Sequence, residues 1–258
     1  MSVVNFAGVS KRFEGESQGY AVKDLDLSIA PGELVAVVGK TGCGKSTMFN
    51  LLIGLIAPSA GEIRVLGCNP FADFDALAGK ISVVFQNDRL LPWRSALDNV
   101  AYGLELRHVA KETQLAAGLD WLSRLGLEAH QDKYPHSLSG GMRQRVSIAR
   151  AFATDPEILL CDEPFSALDE LTGASLRSEF RRLVQETHKT GVFVTHSISE
   201  AVFLGDRVLV MTPRPGRLET VIPVKIARPR GLDGMATPEF GGITHEIRRL
   251  LKQEGTIE

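Results

Sequence analysis

Gly39-Lys40-Thr41-Gly42-Cys43-Gly44-Lys45-Ser46-Thr47 lies between an apolar run, Leu34–Val38, and a helical pattern, Met48–Ile56. No other stretch of the chain restricts its folding as much. The segment satisfies G-x-x-x-x-G-K-[ST] in the strand, loop and helix setting that gives the pattern its meaning. Its glycines let the backbone curl so that several N–H groups point at one oxyanion, and the following helix adds the positive end of its dipole. Lys45 then reaches the β- and γ-phosphates of a nucleotide, and the Ser46 hydroxyl can ligate Mg²⁺. A plain glycine-rich turn is the rival reading, and the flanking strand and helix argue against it.

The rest of the chain alternates short β-branched runs with longer helical patterns, which is the signature of an α/β protein with a largely parallel central sheet. The expected strands are Val3–Val9, Leu25–Ile29, Leu34–Val38, Ile63–Val65, Ile81–Phe85, Ile158–Cys161, Val192–Thr195 and Val208–Met211. Between Asp88 and Pro156 helical periodicity dominates, with Leu97, Val100, Ala101 and Leu104, then Leu115, Leu119, Leu122 and Leu125, then Val146, Ala149 and Phe152 as apolar faces. This reads as a helical insertion in the α/β core. A proline-punctuated stretch and a final amphipathic helix through Ile243, Ile247, Leu250 and Leu251 follow.

The chain has 258 residues, is 44% hydrophobic and carries a net charge of −2. These values exclude disordered and disulfide-scaffold classes and leave no basic excess for holding nucleic acid by counterion release. The most apolar stretch, Phe49–Ala57, is far below the ~20 residues of a membrane-spanning helix. Cys43, Cys68 and Cys161 have neither metal-ligand spacing nor the even count of a disulfide framework,. A reducing, cytoplasmic setting is expected.

Ile158-Leu159-Leu160-Cys161-Asp162-Glu163 is an apolar strand ending in two acids, a costly place for charge without a cation or reacting group nearby. Alternation along a strand gives the two acids different faces and different tasks. Asp162 suits Mg²⁺, directly or through water, and Glu163 is placed as general base for the water attacking a γ-phosphate. Two further strands run into Gln86 and His196. Ligands gather at the carboxyl ends of strands in open α/β sheets, so Lys45, Gln86, Asp162 and His196 are expected to converge. Gln86 offers its amide oxygen to Mg²⁺ or to the attacking water, and His196 can hydrogen-bond the γ-phosphate. A second helix start, at Ser139-Gly140-Gly141, exposes backbone N–H groups to an anion. One chain thus carries two half-sites, which a head-to-tail pair of copies would complete. Arg143, Arg145 and Arg150 are read as intrachain salt-bridge donors or a solvated face.

These motifs closely resemble those of the ATP-binding subunits of ABC transporters. The match comprises the P-loop Gly39–Thr47, the Q-loop glutamine Gln86, the signature Leu138-Ser139-Gly140-Gly141-Met142-Arg143-Gln144, the Walker B strand into Asp162-Glu163, the D-loop Ser166-Ala167-Leu168-Asp169 and the switch histidine His196. The resemblance covers about residues 3–225. It implies a P-loop NTPase core of the ABC type, an inserted helical subdomain and an antiparallel β edge. The implied division is a core of residues 1–86 and 155–225, a helical subdomain of 87–154 and a tail of 226–258. ATP and Mg²⁺ are the implied cofactors, with Ser46, Gln86 and Asp162 toward the metal. Phe13 matches the family's adenine-stacking aromatic, and Tyr20 is its rival.

Leu90–Val100, Tyr134–Arg145, Glu200–Leu204, Arg214-Pro215-Gly216-Arg217 and Ala227-Arg228-Pro229-Arg230 look like the nitrate, sulfonate and taurine type of import ATPase. Asn87-Asp88 and Ser197 depart from that pattern, which bears on coupling and substrate and not on hydrolysis. The resemblance implies a second copy of the chain, membrane permease subunits docking at the helical subdomain, a solute-binding protein acting indirectly, and a peripheral place on the inner face of the membrane. The alternatives are a nucleotide-dependent dimerisation switch and a soluble ABC ATPase uncoupled from transport. Cys43, beside a helix N-terminus, is expected to react as a thiolate and to be protected by MgATP.

Overall fold

The computed structural model describes residues 2–13, 19–213, 215–227, 230 and 232–253. Arg214, Arg228 and Pro229, which the importer resemblance includes, lie outside the described residues. In chain order the elements are β1 (Val4–Lys11), β2 (Val22–Ile29), β3 (Leu34–Gly39), α1 (Lys45–Leu52), β4 (Ala60–Val65), β5 (Ile81–Val84), α2 (Ala96–Leu106), α3 (Lys111–Arg124), α4 (Gly140–Ala153), β6 (Ile158–Asp162), α5 (Glu170–Glu186), β7 (Thr190–Val194), α6 (Ile198–Leu204), β8 (Arg207–Met211), β9 (Leu218–Pro223) and α7 (Pro238–Gln253). They fall into two compact units, Met1–Ala78 with Lys189–Glu258, and Gly79–His188.

The first unit holds an antiparallel sheet in the order β2-β1-β4 and a run of strands in the order β7-β3-β8-β9. In β2, Val22, Leu25, Leu27 and Ile29 are buried while Asp26 and Ser28 face out, the one-sided alternation of a strand with one wet face. β3 is buried along its whole length and pairs in parallel with β7 and β8, so its apolar run needs no polar face. Val37 pairs with Val194. The loop that begins at Gly39 and the segment Thr195-His196 therefore leave neighbouring strands at the same end. β9, absent from the sequence reading, pairs antiparallel with β8. Its terminal Pro223 cannot donate to a ladder, which an edge position tolerates.

The second unit pairs β5 with β6 in parallel, Val84 opposite Cys161, and also contains α2 to α5, of which α4 packs against β5. Here too the parallel register sends the segments after the strands, toward Gln86 and Asp162, out at one end. One apolar face differs from expectation. Leu115 is half-buried and Leu119 is 42% exposed, whereas Gln114, Gly118 and Leu122 of α3 are buried. The helix is turned inward on its smallest side chain because Gly118 sits against Leu97, where a Cβ would lie 2.6 Å from Leu97 Cδ1. Gln114 Nε2 donates to the Val109 carbonyl at 2.7 Å, which satisfies one side of its buried amide and leaves Oε1 without a hydrogen bond among the described residues,. Among the described residues no helix is long and apolar enough to cross a membrane.

Candidate functional site

At two of its glycines the loop from Gly39 to Thr47 leaves no room for a side chain. A Cβ on Gly39 would stand 2.4 Å from Cys43 Sγ and 2.7 Å from the Met211 carbonyl oxygen. Gly44 has φ 91°, and a Cβ there would stand 2.4 Å from Val22 Cγ1. Gly44 also serves as N-cap of α1, with no side-chain cap and no acid in the first turn. By contrast α2, α4, α5 and α6 are each capped by a side-chain oxygen, from Ser95, Ser139, Asp169 and Ser197, and α3, uncapped at Ala110, carries Glu112 in its first turn. The α1 terminus thus keeps its backbone donors and the positive end of its dipole for an external anion. Lys45 is folded over the same loop, its Nζ donating to the carbonyls of Gly39 at 2.7 Å and Lys40 at 3.2 Å. Thr41, Gly42 and Ser46 are exposed beside it, and Thr47 is half-buried.

Cys43 behaves differently from the reactive thiolate read from the sequence. Its side chain is fully buried, and burial pushes its pKa up, with Lys45 offsetting part of the rise. Desolvation outweighs the nearby cation because the thiol points into the protein, so Cys43 offers the loop its backbone and not its sulfur.

On the neighbouring strand, His196 is exposed and follows the buried Thr195. The Thr195 hydroxyl donates to Glu200 Oε2 at 2.7 Å and accepts from the Ser197 N–H at 3.0 Å. The Glu200 N–H in turn donates to Ser197 Oγ. Ser197 is thus the N-cap of α6, its own N–H is taken by Thr195 Oγ1 rather than by Glu200, and the three-residue network brackets His196 between fixed backbone positions,. Ser197, a departure from the importer pattern, therefore caps α6 through its hydroxyl. Neither candidate adenine aromatic is a core residue. Phe13 is half-buried with Lys11 Nζ 5.3 Å from its ring centre, and Tyr20 is 38% exposed with Lys23 Nζ at 5.6 Å.

In the second unit Gln86 is exposed, and Asp162 and Glu163 are half-buried. Strand alternation ends at Asp162, because Glu163 has φ 47°. The chain turns there, and that left-handed backbone rather than the β pleat sets where Glu163 points. A non-glycine residue in this region is strained, and such strain concentrates at functional positions. The Ser166 hydroxyl donates to the Glu163 carbonyl at 3.0 Å, holding the turn. Ser139 is exposed and accepts from the Met142 N–H at 3.2 Å, which confirms it as the N-cap of α4. Gly140 is exposed, and Gly141 approaches Thr172 so closely that a Cβ would lie 2.7 Å from its methyl.

The three arginines of α4 are intrachain donors. Arg143 Nε reaches Asp88 Oδ2 at 2.9 Å, Arg145 pairs with Glu179, and Arg150 donates to the carbonyls of Asp88 and Arg89 at 2.7 and 2.8 Å. Gln144 Nε2 adds a bond to the Phe85 carbonyl. The role of Asp88 went unread in the sequence, where its only signal was that it departs from the importer pattern.

A family model described as ABC transporter matches residues 22–166. The chain belongs to the ABC transporter family. It is 41% identical to an uncharacterised ABC transporter ATP-binding protein of Methanocaldococcus jannaschii, over 93% of this chain and 88% of that protein. It is 43% identical to the taurine import ATP-binding protein TauB of Yersinia pestis, over 84% of this chain and 82% of that one. The nitrate import ATP-binding protein NrtC of Synechococcus elongatus is 41% identical over 93% of this chain, which spans 36% of that longer protein. Among solved structures, a dimeric post-hydrolysis state of an ATP-binding cassette bound to ADP and Pi superposes with a TM-score of 0.75 at 34% identity, covering 86% of this chain and 99% of that one.

The residues of this ABC ATPase fit the cofactors of its family. The uncapped α1 terminus and the glycine cradle suit the phosphates of ATP. Among the described residues no cluster of three or more His, Cys, Asp or Glu is built to hold a metal. The Ser46 hydroxyl in the first unit and the Asp162 carboxylate in the second are each hard oxygen donors, the kind of ligand that Mg²⁺ takes,.

Proposed function

We propose that this cassette hydrolyses ATP to power uptake of a small anionic or organic solute, of the nitrate, sulfonate or taurine kind, through separate membrane permease subunits. The observation that carries the reading is the α1 terminus, left without a side-chain cap and roofed by glycines and Lys45. Lys40, Thr41, Gly42, Cys43, Gly44 and Thr47 supply backbone or side-chain donors to the phosphates. Lys45 bridges the β- and γ-phosphates. Ser46, Asp162 and Gln86 face Mg²⁺, which when bound neutralises phosphate charge. Glu163 takes the proton of the attacking water, and His196 donates to the γ-phosphate. Phe13 is the favoured adenine aromatic.

Ser139, Gly140 and Gly141 of one copy cover the γ-phosphate held by a second copy, a reading supported by the dimeric state of the ADP-bound relative. Contacts from both copies favour closure, and cleavage removes that differential affinity. In this scheme residues 1–86 and 155–225 are the ATP-binding core, 87–154 the helical subdomain that meets the permease at the inner face of the membrane, and 226–258 a tail. The names of the taurine and nitrate import relatives support the solute class.

The purified protein is expected to hydrolyse ATP in a Mg²⁺-dependent manner, with turnover lost in Lys45→Ala. Recovery from membranes with an integral permease, and ligand binding by the partnering solute-binding protein, test the transport reading. Turnover unaffected by Lys45→Ala overturns the site.

A further inference from the structure

We propose that Arg230 is a positioning residue for His196, acting through α6, the helix that begins two residues after the histidine. The proposal rests on the ATPase reading given above for the role of His196. Arg230 is only 7% exposed. Its Nη1 donates to the carbonyls of Val202, Phe203 and Gly205 at 3.0, 3.2 and 2.6 Å, and its Nη2 to the Val224 carbonyl at 2.9 Å. Its Nε donates to the Ile226 carbonyl at 3.4 Å. Three of these five acceptors lie at the C-terminal end of α6, where a helix leaves its last carbonyls without intrahelical partners. A guanidinium there satisfies them and sits favourably against the negative end of the helix dipole.

α6 has seven residues, too few to hold its shape from propensity alone,. It is gripped at both ends instead. At its start the Thr195, Ser197 and Glu200 network locks the backbone around His196. At its finish a tail residue holds the last turn. Between the grips Ala201, Val202, Phe203 and Leu204 are fully or nearly fully buried, so the helix moves as one body or not at all. A displaced C-terminal turn is transmitted through about 10 Å of helix to the histidine backbone. The buried charge tolerates little variation, because a guanidinium out of place loses several hydrogen bonds at once. Lysine cannot reproduce the planar fork that spans these carbonyls. The C-terminal tail is thereby part of the hydrolytic apparatus, although it lies past the P-loop, the Walker B strand and the switch histidine.

The test compares wild type, Arg230→Ala and Arg230→Lys in the full-length chain, with imidazole-labelled histidine observed by NMR. The His196 signals are identified by their loss in His196→Gln. Both Arg230 variants are expected to lower kcat by about fivefold or more, since misplacement of a catalytic group by an ångström is costly. KM for ATP should stay within about twofold, because α1 and its loop are untouched. The His196 resonances should shift or broaden while those of His108 and His136 stay in place. Arg230→Lys keeps the charge and guards against an alanine variant that fails to fold. A lowered melting temperature with unmoved His196 signals makes Arg230 merely structural and overturns the proposal. If His196→Gln retains wild-type turnover, the catalytic reading of His196 fails, while the resonance comparison still decides whether Arg230 positions it.

Discussion

Arg143 Nε lies 2.9 Å from Asp88 Oδ2, joining α4, the helix that opens at Ser139, to the segment two residues beyond Gln86. Arg150 reinforces the link by donating to the carbonyls of Asp88 and Arg89. The two arginines are not equivalent. The Arg143 and Asp88 side chains are 37% and 27% exposed, so their ion pair is screened and contributes about 0.2–1 kcal/mol. Arg150 is half-buried, burial lowers its pKa, and its loss leaves two carbonyls without that donor. Arg150→Ala is therefore expected to cost about 2 kcal/mol, more than Asp88→Asn or Arg143→Gln. Urea denaturation of the three variants, with a double-mutant cycle for the Asp88 and Arg143 pair, checks the ranking. A coupling energy for the pair that exceeds the loss in Arg150→Ala would contradict it.

The positive φ of Glu163 separates two effects that a single substitution would confuse. Glu163→Gln keeps the side-chain length and the strained backbone, so it should abolish steady-state hydrolysis and accumulate an ATP-bound dimer. Glu163→Asn should also abolish hydrolysis. Asparagine accepts left-handed geometry more readily than glutamine, so this variant should be about 0.5–1 kcal/mol more stable than Glu163→Gln. Turnover and thermal unfolding of the pair provide the check. Equal melting temperatures would mean that the strain at Glu163 is not relieved by the residue type.

Cys43 and Cys161 are both fully buried, and burial pushes both thiols above their ordinary pKa of 9.0. In the native protein at pH 8, Cys68, which is half-buried, should react first with a thiol reagent. Cys43 and Cys161 should react only at the rate of opening or unfolding. The same shifts set an alkaline limit. Below the unfolded value the thiols are protonated in both states and their burial contributes in full. Above it the unfolded thiols ionise while the native ones keep their protons, so stability falls with rising pH until the native values are reached. The loss is up to about 1.4 kcal/mol per pH unit for each thiol. Comparing urea midpoints at pH 8 and pH 10 with those of Cys161→Val isolates the contribution of Cys161, and an unchanged slope in the variant would refute it.

Where the sequence was legible, one local pattern carried the answer. The strand, glycine loop and helix at residues 34–52 could be read because backbone chemistry alone dictates residue types there, and the capped start at Ser139 for the same reason. Residues whose roles depend on distant partners were opaque. Arg230 is only the last residue of a matched tail stretch until α6 ends beside it, and Cys43 looks activated until the surrounding chain buries it. Leu115 and Leu119 misled because a helix can be drawn inward by its smallest residue, here Gly118, when a neighbour such as Leu97 fills the space. β9 was hidden by the prolines around it, which mark turns as readily as an edge strand.

The two structural glycines of the phosphate loop give the sharpest contrast between stability and binding. Alanine at Gly44 meets two obstacles, a φ of 91° and a Cβ that would fall 2.4 Å from Val22 Cγ1 and 2.9 Å from the Ala21 carbonyl oxygen. Alanine at Gly39 meets no such backbone strain, but its Cβ would fall 2.4 Å from Cys43 Sγ and 2.7 Å from the Met211 carbonyl oxygen. The sulfur can yield and the carbonyl of a paired strand cannot. Both variants should therefore lose nucleotide binding and stability, Gly44→Ala the more, by about 2 kcal/mol or more through combined strain and overpacking. The double variant Gly39→Ala with Cys43→Ala removes the sulfur, and it should recover part of that stability but not binding, because the Met211 carbonyl still displaces the loop. Fluorescent ATP-analogue titration alongside thermal unfolding measures both quantities. Recovery of binding in the double variant would show that the loop is shaped by Cys43 packing rather than by the β8 backbone.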